Sequence, residues 1–239
     1  MRRPNDNDPI NGGNTAQEAD NEGDHFGTPL NSIAGGHLKL VHGAANVNIH
    51  ADAAMVNLYR ASFKGLEPRI WAESGAVTIE YLRFPLFDWF YYLRERSAEV
   101  ALNAHIPWDI EIHDSASRLT ADLRELELRS FEVNGGASRV EVTLPRPSGV
   151  VLVCVQGGAS NVAVRYPEGA AVRVQVLGGV TNLTFDEHRL GAVGVEVDLR
   201  SPGYDDATDR YEIAITGGAN NLLVSDARSG RQSFLGGHE

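Results

Sequence analysis

One cysteine, two methionines and three tryptophans are all that this 239-residue chain has of each. A lone Cys154 cannot close an intramolecular disulfide, and the usage fits a reducing compartment. Basic residues are scarce as well. The 21 Lys and Arg stand against 32 Asp and Glu, a formal net charge of −11, and form no dense cluster. Nucleic acids and anionic bilayers are bound by basic faces that displace counterions, so neither is expected as a partner. No apolar run approaches the roughly eighteen residues that span a bilayer. The opening MRRPNDNDPINGGNTAQEADNEGD has two arginines with no apolar stretch behind them, which is not the pattern of a signal peptide. The expected location is the cytoplasm.

What is abundant is glycine, 25 residues, set between valine-rich runs, the composition of a chain that turns often and forms strands. Residues 1–32 are the exception. Arg2 and Arg3 face six acidic residues between Asp6 and Asp24, with almost no aliphatic side chain. Such a segment buries too little apolar surface to offset its chain entropy, and a disordered acidic tail is expected. A flexible tail is likewise expected over 227–239.

From residue 33 to 226 the chain repeats itself. GGASRVEVTLP from Gly135, GGASNVAVRYP from Gly157, GGVTNLTF from Gly178 and GGANNLLV from Gly217 share one grammar. Their first apolar residues, Val140, Val162, Leu183 and Leu222, are spaced by 22, 21 and 39. Leu119 lies 21 before Val140, Val77 lies 42 before Leu119, and Val47 in GAANVNIH opens a looser early unit. Each unit holds a strand after the Gly-Gly corner, a turn, and a second strand with period-two alternation. Val172, Val174 and Val176 flank Arg173 and Gln175, and Trp108, Ile110 and Ile112 flank Asp109 and Glu111.

One such unit cannot close a core, but stacked units can. The expected fold is therefore all-β: a single-domain β-solenoid of about 21-residue coils, two short strands per coil, with Gly-Gly corners and each coil stacked on the next. Asn161, Asn182 and Asn221 share the position before the first strand, with Asn46 there in the early unit, and an asparagine ladder is expected. Two insertions break the period, at 83–105 and 186–210.

The GGAS-x-V-x-V-x-L-P coils, the IPWDIEI entry strand and the SPGYDDATDRYEI segment resemble the bacterial "putative adhesin" and toast-rack β-solenoids, a domain also found at the C-terminus of cell-envelope stress regulators. The resemblance covers 105–225 well and 35–104 more loosely. It implies a binding or scaffold module without a catalytic set.

No residue pattern contradicts that implication. The eight histidines form no HExxH and no pair with cysteine, so no metal is expected. His42 and His50 are read as exposed turn or strand residues. Asp186-Glu187-His188 and the trio Asp205, Asp206 and Asp209 are read as solvated corners. Matching Val155 to Val176 places Cys154 outward, with no basic neighbour to activate it. The glycine pairs precede strands and lack the Lys-Ser or Lys-Thr of a phosphate loop.

The expected activity is thus non-enzymatic, without cofactors. The partner is a protein or a second copy of the chain, with an envelope-associated adhesin or sensor that binds glycan or wall material as the alternative. A β-helix carbohydrate enzyme is the distant third reading. The candidate contacts are Trp89, Phe90, Tyr91 and Tyr92 in FPLFDWFYYLRERS, together with Tyr204, Asp205 and Asp206. Asp88 is positioned to cap a short helix there. The aromatic run either folds back to cap the solenoid or stands out as an interface hot spot.

Overall fold

The computed structural model describes residues 26–30, 33–41, 46–65, 67–81, 97–114, 117–136, 138–194 and 196–227. Residues 1–25 of the expected acidic tail, most of the C-terminal tail, His42 and the aromatic run with its helix at Asp88 lie outside the described residues, while Phe26–Pro29, expected within that tail, form a strand paired in the sheet.

The described chain is built of strands. The first part holds β1 (Phe26–Pro29), β2 (Gly36–Val41), β3 (Asn46–Asp52), β4 (Asn57–Lys64), β5 (Arg69–Glu73), β6 (Ala76–Glu80) and β7 (Ser97–Asn103). The regular middle holds β8 (Pro107–His113), β9 (Arg118–Asp122), β10 (Glu127–Asn134), β11 (Val140–Thr143), β12 (Val150–Gln156) and β13 (Ala159–Tyr166). The last part holds β14 (Ala171–Leu177), β15 (Val180–Phe185), β16 (His188–Val193), β17 (Val197–Arg200), β18 (Arg210–Thr216) and β19 (Ala219–Asp226).

Alternating residues decide the packing, because successive side chains on a strand face opposite ways. Each coil gives one strand to each of two sheets, which face each other across a shared core. In the ten-stranded sheet Val47, Leu119, Val140, Val162, Leu222 and Leu183 stand in one register. In the nine-stranded sheet Leu38, Ile110, Phe131, Val153, Ile213 and Val174 do the same. All twelve side chains are buried. The coil-to-coil pairs are parallel, as in a solenoid.

The corners follow from close backbone approach. Gly157 and Gly217 stack directly, with φ of 102° and 101°. A Cβ on Gly217 would lie 2.8 Å from the Gly157 carbonyl oxygen, so only glycine fits there. The asparagine ladder is present: Asn182 Nδ2 donates to Asn221 Oδ1 and Asn221 Nδ2 to Asn161 Oδ1, both at 3.0 Å. All three adopt positive φ. Asn46 takes no part, since its register neighbours are Arg118 and Ser97.

Two features differ from the expectation. Val77 does not follow the register of Leu119; it lies on β6, in the other sheet, beside Leu38. The stacking is also not sequential. The last coil, β18–β19, slides between β12–β13 and β14–β15, and the first, β2–β3, sits between β6–β7 and β8–β9. The outermost strands at each end are antiparallel: β4 and β1 beyond β7, β5 beyond β6, β16 beyond β15 and β17 beyond β14. Within 83–105, residues 97–103 form β7, a full member of the ten-stranded sheet.

Candidate functional site

The long return from β17 to β18 is where chemistry-bearing side chains converge. Gly203, with φ of 76°, turns the chain into a short 3-10 helix, Tyr204–Asp206. Tyr204 is buried, its ring beneath the guanidinium groups of Arg200 and Arg210, whose Cζ atoms lie 5.7 and 5.3 Å from the ring centroid. Its hydroxyl donates to Glu212 Oε1 at 3.1 Å, and burial pushes its pKa up. Arg200 Nη1 donates to Asp205 Oδ1 at 2.7 Å. Arg173 grips Asp198 through Nε and Nη2 at 2.9 and 2.6 Å, which holds the Asp198 carboxyl below its ordinary range. Asp209 Oδ1 accepts the Gly149 N–H at 2.7 Å and pins the loop to the neighbouring turn.

Beside this loop opens a cleft of about 340 Å³, lined by Phe185, Asp186, Glu187, His188, Leu199, Arg200, Ser201, Pro202 and Asp226. Its acidic corner is a structural joint. Both Asp186 oxygens accept the Tyr166 hydroxyl at 2.7 Å, and Oδ1 also accepts the Asp226 N–H at 3.1 Å. Burial, reinforced by this carboxylate, raises the Tyr166 pKa. Arg200 is likewise engaged by Asp198 and Asp205. Polar groups held this way, with the Ser201 hydroxyl oxygen accepting the Val172 N–H at 2.8 Å, give the cleft a stiff wall. Among the described residues no group of three or more His, Cys, Asp or Glu side chains is placed to hold a metal ion.

Of the sequence candidates, the structure brings Tyr204, Asp205 and Asp206 together. Tyr204 is spent on internal contacts, while Asp205 and Asp206 are exposed. Trp89, Phe90, Tyr91 and Tyr92 lie outside the described residues. Cys154 does face outward, beside Ala214 and Glu132, and burial raises its thiol pKa.

Two features were missed from the sequence. His113 and His37 flank Glu111, their Nε2 atoms 2.9 and 3.5 Å from its carboxyl oxygens, and the hydrogen bond from His113 lowers the Glu111 pKa. The Glu111–His113 half is visible in the outward positions of IEIH, but His37 arrives only through the β2–β8 register. The other is Trp71, half exposed at the centre of edge strand β5. Its outward place is readable from the alternation in RIWAE once β5 is known to be a strand.

Comparison with known proteins supports the architecture. The comparison with curated proteins returns no match. A crystal structure of "a putative cell adhesion protein" from Clostridium sporogenes superimposes with a TM-score of 0.56 at 16% identity, covering 84% of this chain and 97% of that one. At that identity the likeness establishes the fold alone. No helix among the described residues is long and apolar enough to cross a membrane. The family described as "N-terminal domain of toast_rack, DUF2154" matches residues 17–165, more than half of the sequence, and the chain belongs to the toast-rack family.

Proposed function

We propose that this chain is a non-catalytic binding module that presents rigid β surfaces to a protein partner or to another copy of itself. The observation that carries this reading is the internal engagement of the polar groups around the cleft and the 201–209 loop. Asp186, Asp198, Arg200, Tyr204 and Asp209 each hold the fold together, and a site so committed suits recognition better than turnover. Membership of the toast-rack family supports it. The contacts proposed are Trp89, Phe90, Tyr91 and Tyr92, by their composition, with Asp205 and Asp206 as exposed polar partners and the Tyr204 ring as the support beneath them.

The test is the double change Trp89→Ala, Phe90→Ala. An unchanged melting temperature with loss of partner capture supports the contact role. A large fall in melting temperature with capture intact assigns these rings to capping the solenoid instead.

A second reading, an envelope-associated adhesin or sensor that binds glycan or wall material, is favoured by the description of the Clostridium sporogenes protein as a cell adhesion protein. Cell fractionation of the native organism decides between this setting and the cytoplasm. Binding to a glycan array that is lost in Arg200→Ala would favour the glycan reading.

A further inference from the structure

Strand β5 closes one end of the nine-stranded sheet, and among the described residues it pairs with β6 alone. Native edges are usually blunted, because a row of unpaired amides recruits other strands. At the same end of the molecule, β1 carries Pro29, which has no N–H to offer. At the far end of the nine-stranded sheet, β17 is short and carries Asp198 and Arg200. Edge β5 is one residue longer than β17 and holds no proline, and its charges, Arg69 and Glu73, lie on the outer face as those of β17 do. Ile70 and Ala72 face inward and pack against the core only partly, while Trp71 stands 50% exposed on the outer face.

The backbone parity of β5 is fixed by its hairpin. Ser74 and Gly75 form the two-residue turn with φ of 50° and 91°, the positive pair of a type I′ hairpin. The flanking pair, Glu73 with Ala76, is then the hydrogen-bonded kind, and so by alternation are Trp71 with Thr78 and Arg69 with Glu80. Ile70 and Ala72 are left with their N–H and C=O groups aimed away from β6, along the open edge.

We infer that β5 is a self-complementary edge on which a second copy of this chain docks antiparallel, about a two-fold axis through Trp71. Centred there, Ile70 meets Ala72 of the other copy, and these are the residues whose amides are free, so four backbone hydrogen bonds close. Arg69 meets Glu73 of the other copy twice over, an opposite-charge pair on each side of the axis. Among the described residues neither side chain has an ion-pair partner within the chain. Trp71 meets its own counterpart at a non-hydrogen-bonded position, where side chains come closest and aromatic pairs are favourable. Any other centre breaks the charge pairing, the amide parity, or both. The two nine-stranded sheets join into one, and the exposed indole and the half-buried Ile70 are covered. The contact is isologous and therefore closes as a dimer.

This inference rests on the reading of the chain as a module able to engage itself, but it uses a different surface from the aromatic run. It is tested on the full chain in a Cys154→Ser background with Trp71→Cys, exposed to a mild oxidant. Leu177→Cys, an exposed position on β14 near the other end of the same sheet, is the collision control. A disulfide dimer is expected from Trp71→Cys and not from Leu177→Cys. Adding Arg69→Glu should lower the yield, and adding Glu73→Arg to that should restore it.

In the chain with Trp71 intact, sedimentation should show a dimer whose Kd rises about tenfold or more with Arg69→Glu and returns with the double reversal. Equal cross-linking at both cysteines, none at Trp71→Cys, or indifference to the charge reversal overturns the inference. Partner capture that depends on Trp89 and Phe90 would then still stand, so failure here is separable from failure of the binding role.

Discussion

Asn103 shows what a single side chain holds together in this molecule. It is fully buried, yet every polar atom is used: Nδ2 donates to the carbonyls of Met55 and Asn57 at 2.9 and 2.8 Å, and Oδ1 accepts the His105 N–H at 2.8 Å. Its own carbonyl accepts the Trp108 indole N–H at 2.8 Å, so one residue ties the 53–57 turn to the first strand of the next coil. Asn103→Leu leaves three backbone groups without partners, and a loss of about 2 to 4 kcal/mol is expected in denaturant melts. Nothing in ALNAH distinguishes this asparagine from an ordinary turn residue, because its partners lie 46 and 48 positions away. The inward valines were legible, since period-two alternation needs no distant partner to be read. Val174 is fully buried, and Val174→Asp should abolish a cooperative melt, as an unpaired carboxylate would enter the stacked core. Its neighbour Arg173 faces outward as the alternation requires, but it is not idle. Arg173→Asp would set two carboxylates against each other at Asp198, and a small, salt-sensitive fall in melting temperature is expected.

Among elements, the edges carry the information that the repeat does not. Strand β17 is held on β14 by its backbone ladder and by the Arg173–Asp198 pair. The folded Asp198 pKa lies below its ordinary value, so the pair stabilises fully above the unfolded pKa, near 4, and its contribution fades as pH falls through the folded pKa. Amide exchange at Val197–Arg200 should therefore rise on acidification before that of β18 does, and Asp198→Asn should remove most of this pH dependence. Equal acid sensitivity in wild type and Asp198→Asn would show that the backbone ladder alone holds the strand. The Gly-Gly corners, the strand after each corner and the asparagine ladder could all be read from spacing. Val77 departs from the Leu119 register that its spacing implies for a physical reason. Its Gly75 precedes a strand as the corner glycines do, but it belongs to a tight antiparallel hairpin, and a glycine at positive φ before an apolar alternation looks the same in both settings.

For the molecule as a whole, the period specifies which residues face inward but not which coil touches which. Every coil offers nearly the same row of Val, Ile and Leu, and coils 21 residues apart have equivalent registers, so the order of stacking leaves almost no mark in the sequence. The order follows from the ends. Strands β16 and β17 fold back antiparallel and cover one side of the β14–β15 coil, leaving it a single open face. The β18–β19 coil occupies that face, with Tyr211, Ile213, Ile215, Leu222 and Val224 buried between its two neighbouring coils. The link from β13 to β14 must accordingly climb two strand spacings, about 10 Å, instead of one. In a sequential solenoid, removing the terminal coil deletes one interface and leaves the rest standing. Here it deletes two and opens the core between β12 and β14. A chain ending after Asp209 should thus lose cooperative thermal unfolding and amide protection in β14–β17, whereas the coils from β8 to β13 retain their own neighbours and should keep partial protection. That difference in protection, middle coils first and β14–β17 last, would vanish if the truncated chain let β14 pair directly with β12. Near wild-type protection throughout 107–200 in the truncated chain would show that the inserted coil is dispensable and that the ends do not determine the stacking.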